Sequence, residues 1–201
     1  MRSVGLVLCL GIAPAAGAAD FYSLAVSRDG DEYRMSADAH LAAPPAAVYA
    51  VLTDYEHLTR ISNAVQKSHV VQRLDSGAVL VYTDSRVCAL FFCRHIIETQ
   101  RYSKPDPQDI VAEVMPEQSN LKSGKAVWHV EAESDGTRLH WEMSAVPAFW
   151  VPPFIGSALV ERGLRMEGRA GIAGVEKLAR EHARLPPLES EHRDAGQKNS
   201  D

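Results

Sequence analysis

The sequence predicts an α+β domain in which one antiparallel sheet has its apolar face covered by a single long helix. Three observations predict it. Between residues 33 and 145 apolar side chains recur at every second position in a series of short runs. Breaks such as Asp75-Ser76-Gly77, Ser103-Lys104-Pro105-Asp106-Pro107 and Ser134-Asp135-Gly136 separate those runs. Beyond Pro152-Pro153 the apolar period changes from that of a strand to that of a helix. A sheet with one apolar face and one amphipathic helix to cover it make a layered domain.

At the amino terminus, Arg2 precedes the apolar run 4–12 and the small residues Ala13-Pro14-Ala15-Ala16-Gly17-Ala18-Ala19. The run is shorter than the roughly 20 residues a spanning helix needs, and Ala16 and Ala18 suit a signal-peptidase site. A signal peptide over 1–19, cleaved after Ala18 or Ala19, is expected, and with it a periplasmic or secreted protein. Cys9 follows Leu8 inside the apolar run, which is no setting for lipid attachment. The domain is expected over 20–184, and the polar, aperiodic stretch 185–201 as a disordered tail. Removing Arg2 from 21 basic residues leaves 20 against 26 acidic ones, a formal charge of −6. Such a balance opposes binding to a phosphate backbone, so no nucleic-acid partner is expected.

The segment 21–28 leads into the turn Asp29-Gly30-Asp31. Tyr33, Met35, Ala37, Ala39 and Leu41 then alternate with Arg34, Ser36, Asp38 and His40, a strand with one buried face. Pro44 and Pro45 close that strand and open a helix carrying Val48, Val51, Leu52 and Tyr55. Thr53 or Asp54 is expected to cap a second short helix with Leu58 and Ile61. Strands are expected at 65–74, 79–86, 94–102, 110–115, 125–132 and 138–145, most simply as an antiparallel meander. Trp128 and Val130, with Leu139, Trp141 and Met143, give the sheet an apolar, tryptophan-rich face. The helix is expected over 154–183, with Arg162, Arg165, Arg169, Glu176 and Arg180 on one side. Val160, Leu164, Gly171, Val175 and Leu178 lie opposite.

Cys88 and Cys93 are the two cysteines beyond the leader. In an oxidising compartment such a pair is a disulfide candidate, and a hairpin with its tip at 89–92 would bring the two Cα atoms within bonding reach. Without a second cysteine pair or a histidine couple they form no zinc site. The eight histidines, at 40, 57, 69, 95, 129, 140, 182 and 192, show no metal spacing. No phosphate loop, G-x-S-x-G, G-x-G-x-x-G or H-E-x-x-H occurs, so neither cofactor nor metal nor catalytic residue is assigned.

The order strand, two short helices, six-stranded meander and long terminal helix resembles the helix-grip superfamily of START-type lipid carriers, polyketide cyclases and coenzyme Q-binding proteins. The stretch Ala43-Pro44-Pro45-Ala46-Ala47-Val48-Tyr49-Ala50-Val51-Leu52-Thr53-Asp54-Tyr55-Glu56 is similar to the opening helix and turn of the coenzyme Q-binding family. The resemblance spans roughly residues 33 to 182. It implies a curved sheet wrapped around the helix, with a cavity between them; the occupant expected there is an apolar small molecule, a lipid, isoprenoid or quinone-like compound.

Candidate cavity residues are then Tyr82, Trp128, Trp141, Met143, Val160, Gly163 and Glu167. Glu167 falls on the apolar side of the helix, four residues from both Gly163 and Gly171, and a buried carboxylate needs a partner. Arg86 supplies one if it shares the inward face with Leu80 and Tyr82; otherwise Glu167 sits at the rim. The helix glycines either pack closely on the sheet or make room for ligand. Three connections, 89–92, 116–124 and 147–154, are expected at one end of the sheet. They carry Leu90, Phe91, Phe92, Phe149, Trp150 and Phe154, with Arg86, Arg94 and His95 beside the first tip. That end is expected to be the cavity mouth and a transient membrane contact, unless the apolar loops plug each other. Three functional classes remain: a carrier or sensor, a cyclase or isomerase using Glu167 or a cavity histidine, and a protein-binding module without ligand.

Overall fold

A computed structural model describes residues 19–89, 92–151 and 157–185. The leader 1–18, the tail beyond Leu185, Leu90, Phe91, Phe154 and the side chain of Phe92 lie outside the described residues, together with the expectations that concern them.

Eight strands form one antiparallel sheet: β1 (Asp20–Asp29), β2 (Glu32–Leu41), β3 (Val65–Arg73), β4 (Val79–Ala89), β5 (Phe92–Ser103), β6 (Asp109–Val114), β7 (Leu121–Glu133) and β8 (Gly136–Pro147). Their order across the sheet is β1-β2-β8-β7-β6-β5-β4-β3. The meander β3 to β8 therefore returns its last strand to the side of β2, and α1 (Pro45–Leu52) makes the crossover. The long helix α2 (Ser157–His182) touches β1, β2, β4 and α1. This is the expected α+β helix-grip architecture. The sheet has one strand more than expected, because the segment before Gly30 pairs with β2 from Asp20↔His40 to Asp29↔Glu32. Gly30 has a positive φ of 59°, which lets the chain reverse there.

Two further expectations are corrected. Thr53 ends α1 rather than starting a second helix, its hydroxyl donating back to the Tyr49 carbonyl at 2.8 Å. The chain then makes one 3-10 turn, Leu58–Arg60, preceded by His57, whose ring meets Asp54 at 2.8 Å. On α2, Glu176 and Arg180 do not belong to a solvated face. Glu176 is buried and accepts from the Ala42 backbone N–H at 2.8 Å, while Arg180 donates to the Ala42 carbonyl at 2.5 Å. The two backbone groups just past the end of β2 find their partners on the helix, which is why charged residues occur on its inner side.

The α2 helix divides the interior into two halves. Its carboxy-terminal half places Ile172, Val175 and Ala179 against Ala37, Ala39, Leu41, Val48 and Val51, a close-packed core. The small side chains of Ala37 and Ala39 let the helices approach the sheet. Gly174 packs on the segment just after the 3-10 turn, since a Cβ there would lie 1.9 Å from the Ile61 carbonyl oxygen. Alongside this core the sheet and α2 enclose an open space, lined on the helix by residues from Val160 to Val175.

Candidate functional site

The open space is a cavity of about 410 Å³ between the sheet and α2. Its apolar wall comes from Met35 on β2, Trp128 on β7, Trp141 and Met143 on β8, and Val160, Leu164 and Ile172 on α2. Strand alternation puts these side chains on one face, as expected from the period. Trp128 and Trp141 are cross-strand partners, their rings 6.2 Å apart and nearly parallel at 5°. Tyr102 extends the row 6.1 Å from Trp128, and Tyr55 meets Tyr102 at 4.6 Å. Burial pushes the Tyr55 phenol up to about 12. Burial, then Glu98, then Tyr55 push the Tyr102 phenol well above its ordinary range. Both stay neutral, and the Tyr102 hydroxyl donates to Gln100 Oε1 at 3.0 Å.

The polar wall lies on β4 and β5, where Thr83, Ser85, Arg94, Glu98 and Gln100 line the cavity. Glu98 stands opposite Thr83 in the β4–β5 register. Burial pushes its carboxyl up to about 7, and the hydrogen bond from the Thr83 hydroxyl opposes that rise. Arg94 holds its guanidinium 5.9 Å from the Phe149 ring centre.

Of the eight candidate cavity residues, Trp128, Trp141, Met143, Val160 and Glu167 line the space and the other three do not. Tyr82 and Arg86 face outward: Tyr82 stacks on His69 at 4.9 Å, and Arg86 is exposed with a guanidinium nitrogen 3.6 Å from Cys93 Sγ. The two do share a face, but it is the outer one, because on β4 it is Thr83, Ser85 and Val87 that point inward. Arg86 therefore does not pair with Glu167, which receives the Ser62 hydroxyl at 3.4 Å. Gly163 does not line the cavity; a Cβ there would come within 3.2 Å of the Cys88 carbonyl oxygen. Gly171 is the glycine that makes room, lining the cavity with nothing within 4 Å of its absent Cβ. Among the described residues no histidine lines the cavity. His40, His57, His95, His129 and His140 each meet a carboxylate elsewhere.

Two of the three connections expected at the mouth, 116–124 and 147–154, are tied to each other and to β5. Asn120, which no motif or period singles out, donates through its side-chain amide to the His95 carbonyl and through its backbone N–H to the Ile97 carbonyl, both at 2.8 Å. Its own carbonyl accepts from Ala148 at 3.0 Å. The first half of β5, the connection into β7 and the segment after β8 are thereby tied together. Phe149 turns into the cavity wall, while Trp150 is 68% exposed. Cys88 and Cys93, register partners at the end of β4 and β5, are joined by the expected disulfide.

The family whose model is described as polyketide cyclase / dehydrase and lipid transport matches residues 33–180. The chain belongs to that family. Solved structures similar to this family member include an aromatase/cyclase from Streptomyces sp. R1128, with a TM-score of 0.63 at 17% identity over 76% of this chain and 96% of that one. Human STARD10 gives a TM-score of 0.57 at 12% identity, over 80% of this chain and 74% of that one. A STAR-related lipid transfer protein from Xanthomonas axonopodis gives 0.51 at 17% identity, over 81% and 99%. At these identities the likeness is one of fold, and the fold is the one the sequence resemblance implied. No curated protein matches this family member.

Proposed function

We propose that the protein is an exported carrier for an apolar small molecule, a lipid, isoprenoid or quinone-like compound, held between the sheet and α2. The cavity carries this reading: about 410 Å³ of space with a tryptophan-lined wall and a few convergent polar groups. Ligand sites commonly have volumes of roughly 300–1,000 Å³ and that composition. Membership of a family that includes lipid transport supports it. The charged start, short apolar core and small residues of 1–19 support export. In this reading the end bearing Phe149 and Trp150 touches a membrane to collect or deliver the ligand.

The test is native mass spectrometry of protein purified from its own envelope fraction, followed by organic extraction. A bound apolar compound that extraction removes is expected. Protein that carries nothing and fails to take up Nile red would overturn the carrier reading.

One observation favours a second reading. Glu98, near 7 and on the cavity wall, has the acidity that general acid or base work requires. In a cyclase or isomerase, Glu98→Gln would abolish turnover and leave binding nearly intact. In a carrier, that variant changes which ligands bind.

A further inference from the structure

Glu98 has no counter-charge. The influences on its carboxyl are burial and the Thr83 hydroxyl, with no cation among the described residues. The charged groups that share the cavity with it are Glu167 on α2, Lys125 on β7 and Arg94 near the start of β5, and none of them is among the influences on its carboxyl. Arg94 is four residues away along the strand, a distance of roughly 13 Å, and its guanidinium lies over Phe149. Glu167 is engaged with Ser62. The Tyr102 hydroxyl donates to Gln100 Oε1 at 3.0 Å, and Thr83 is the one side-chain donor among the influences on the Glu98 carboxyl. A carboxylate has about four acceptor sites, and a buried polar group left short of partners is costly. One hydroxyl from Thr83 leaves most of that capacity for whatever fills the cavity.

The complement of such a group is a ligand that donates a hydrogen bond and brings no negative charge. Opposite the polar wall stand Trp128, Trp141 and Met143, which need an apolar body. We propose that Glu98 anchors the head of the ligand and selects uncharged amphiphiles bearing a hydroxyl, aliphatic or phenolic, over carboxylate-headed ones. This rests on the cavity being a ligand site, and names the class of ligand.

Competition against Nile red, with dodecanol and dodecanoate as probes at pH 8, tests it on the full-length mature protein. Wild type is expected to bind dodecanol at least about tenfold more tightly, the effect of one charge-assisted hydrogen bond. Glu98→Gln, which keeps the shape and removes the charge, should bring the two affinities to within about threefold, mainly by admitting dodecanoate. Glu98→Leu should weaken dodecanol binding. Thermal melting identifies which variants are folded, and the wild-type comparison needs none of them. Wild type binding both probes within about twofold overturns the selectivity and leaves the carrier reading standing. A preference that survives in folded Glu98→Gln and Glu98→Leu overturns the role of Glu98. If Nile red binds and neither probe displaces it, the ligand class is wrong; if Nile red itself does not bind, the cavity reading fails and takes this proposal with it.

Discussion

A single ionisable side chain on the cavity wall ties stability to pH. Glu98 is raised from 4.5 to about 7 in the folded protein, chiefly by burial. The folded state therefore keeps a proton that the unfolded chain has already released. Its stability contribution is fully present below the unfolded value and is lost as pH rises to about 7. The ligand-free protein should be more stable at pH 5 than at pH 8, by up to about 3 kcal/mol less whatever water in the cavity screens. Urea unfolding at both pH values measures it, and Glu98→Gln should remove most of the difference. The glycines give a second contrast at this scale. Gly171→Leu fills open space, so it should block Nile red uptake while costing little stability, replacing glycine in a helix being worth about 0.5–1 kcal/mol. Gly174→Ala meets the Ile61 carbonyl and should lower stability by about 1–3 kcal/mol with binding per folded molecule unchanged. Side-chain direction is only half legible in the sequence. On β4 the two alternating sets, Leu80 with Tyr82 and Val81 with Thr83, differ little in polarity, so the period establishes parity without choosing the inward face. Glu98 escapes sequence reasoning because β5 places Arg94, Ile96, Glu98, Gln100 and Tyr102 inward, and the alternate set His95, Ile97, Thr99 and Arg101 is no more apolar, so the period does not choose a face.

Among elements, the strands of the meander and the long helix are readable because their periods persist over many residues. β1 is not fully readable, since its exposed positions predominate and it has only one neighbouring strand. The 3-10 turn after α1 is hidden because Thr53 and Asp54 suit a helix start as well as a helix end, and the backbone makes Thr53 an end. The inner face of α2 misleads at Glu176 and Arg180, whose charges serve the two backbone groups of Ala42 beyond β2 rather than solvent. Nothing local in the helix sequence announces a partner found 134 residues away. Glu176→Ala should leave the Ala42 N–H without its acceptor and cost about 1–3 kcal/mol in denaturant unfolding. Glu176→Gln, which retains an acceptor oxygen, should cost less, and equal losses for both would mean that the carboxylate charge matters more than the hydrogen bond.

For the whole molecule, a curled eight-stranded sheet and α2 enclose both a packed core and a lined cavity. That division is implied by family resemblance and not by composition, because a filled core and a lined cavity use the same residue types. At one end of the sheet Asn120 ties two connections to β5, and Trp150 faces outward there. If that end meets lipid, wild-type protein should float with anionic liposomes, and Trp150→Ser should float at least several-fold less while remaining folded. Protein that stays at the bottom of the gradient would remove the membrane from the proposed function. Equal flotation of the variant would put the contact elsewhere on the surface.

The placement of the three tryptophans also makes the protein its own optical instrument. Trp128 and Trp141 lie side by side on the cavity wall, close enough for their excited states to interact, and Trp150 stands apart in solvent. Emission from the pair is expected further to the blue and to respond to what occupies the interior; emission from the exposed indole is expected further to the red and to respond to what touches the rim. Loading and docking can thus be followed as two separate signals in one spectrum of the unlabelled protein.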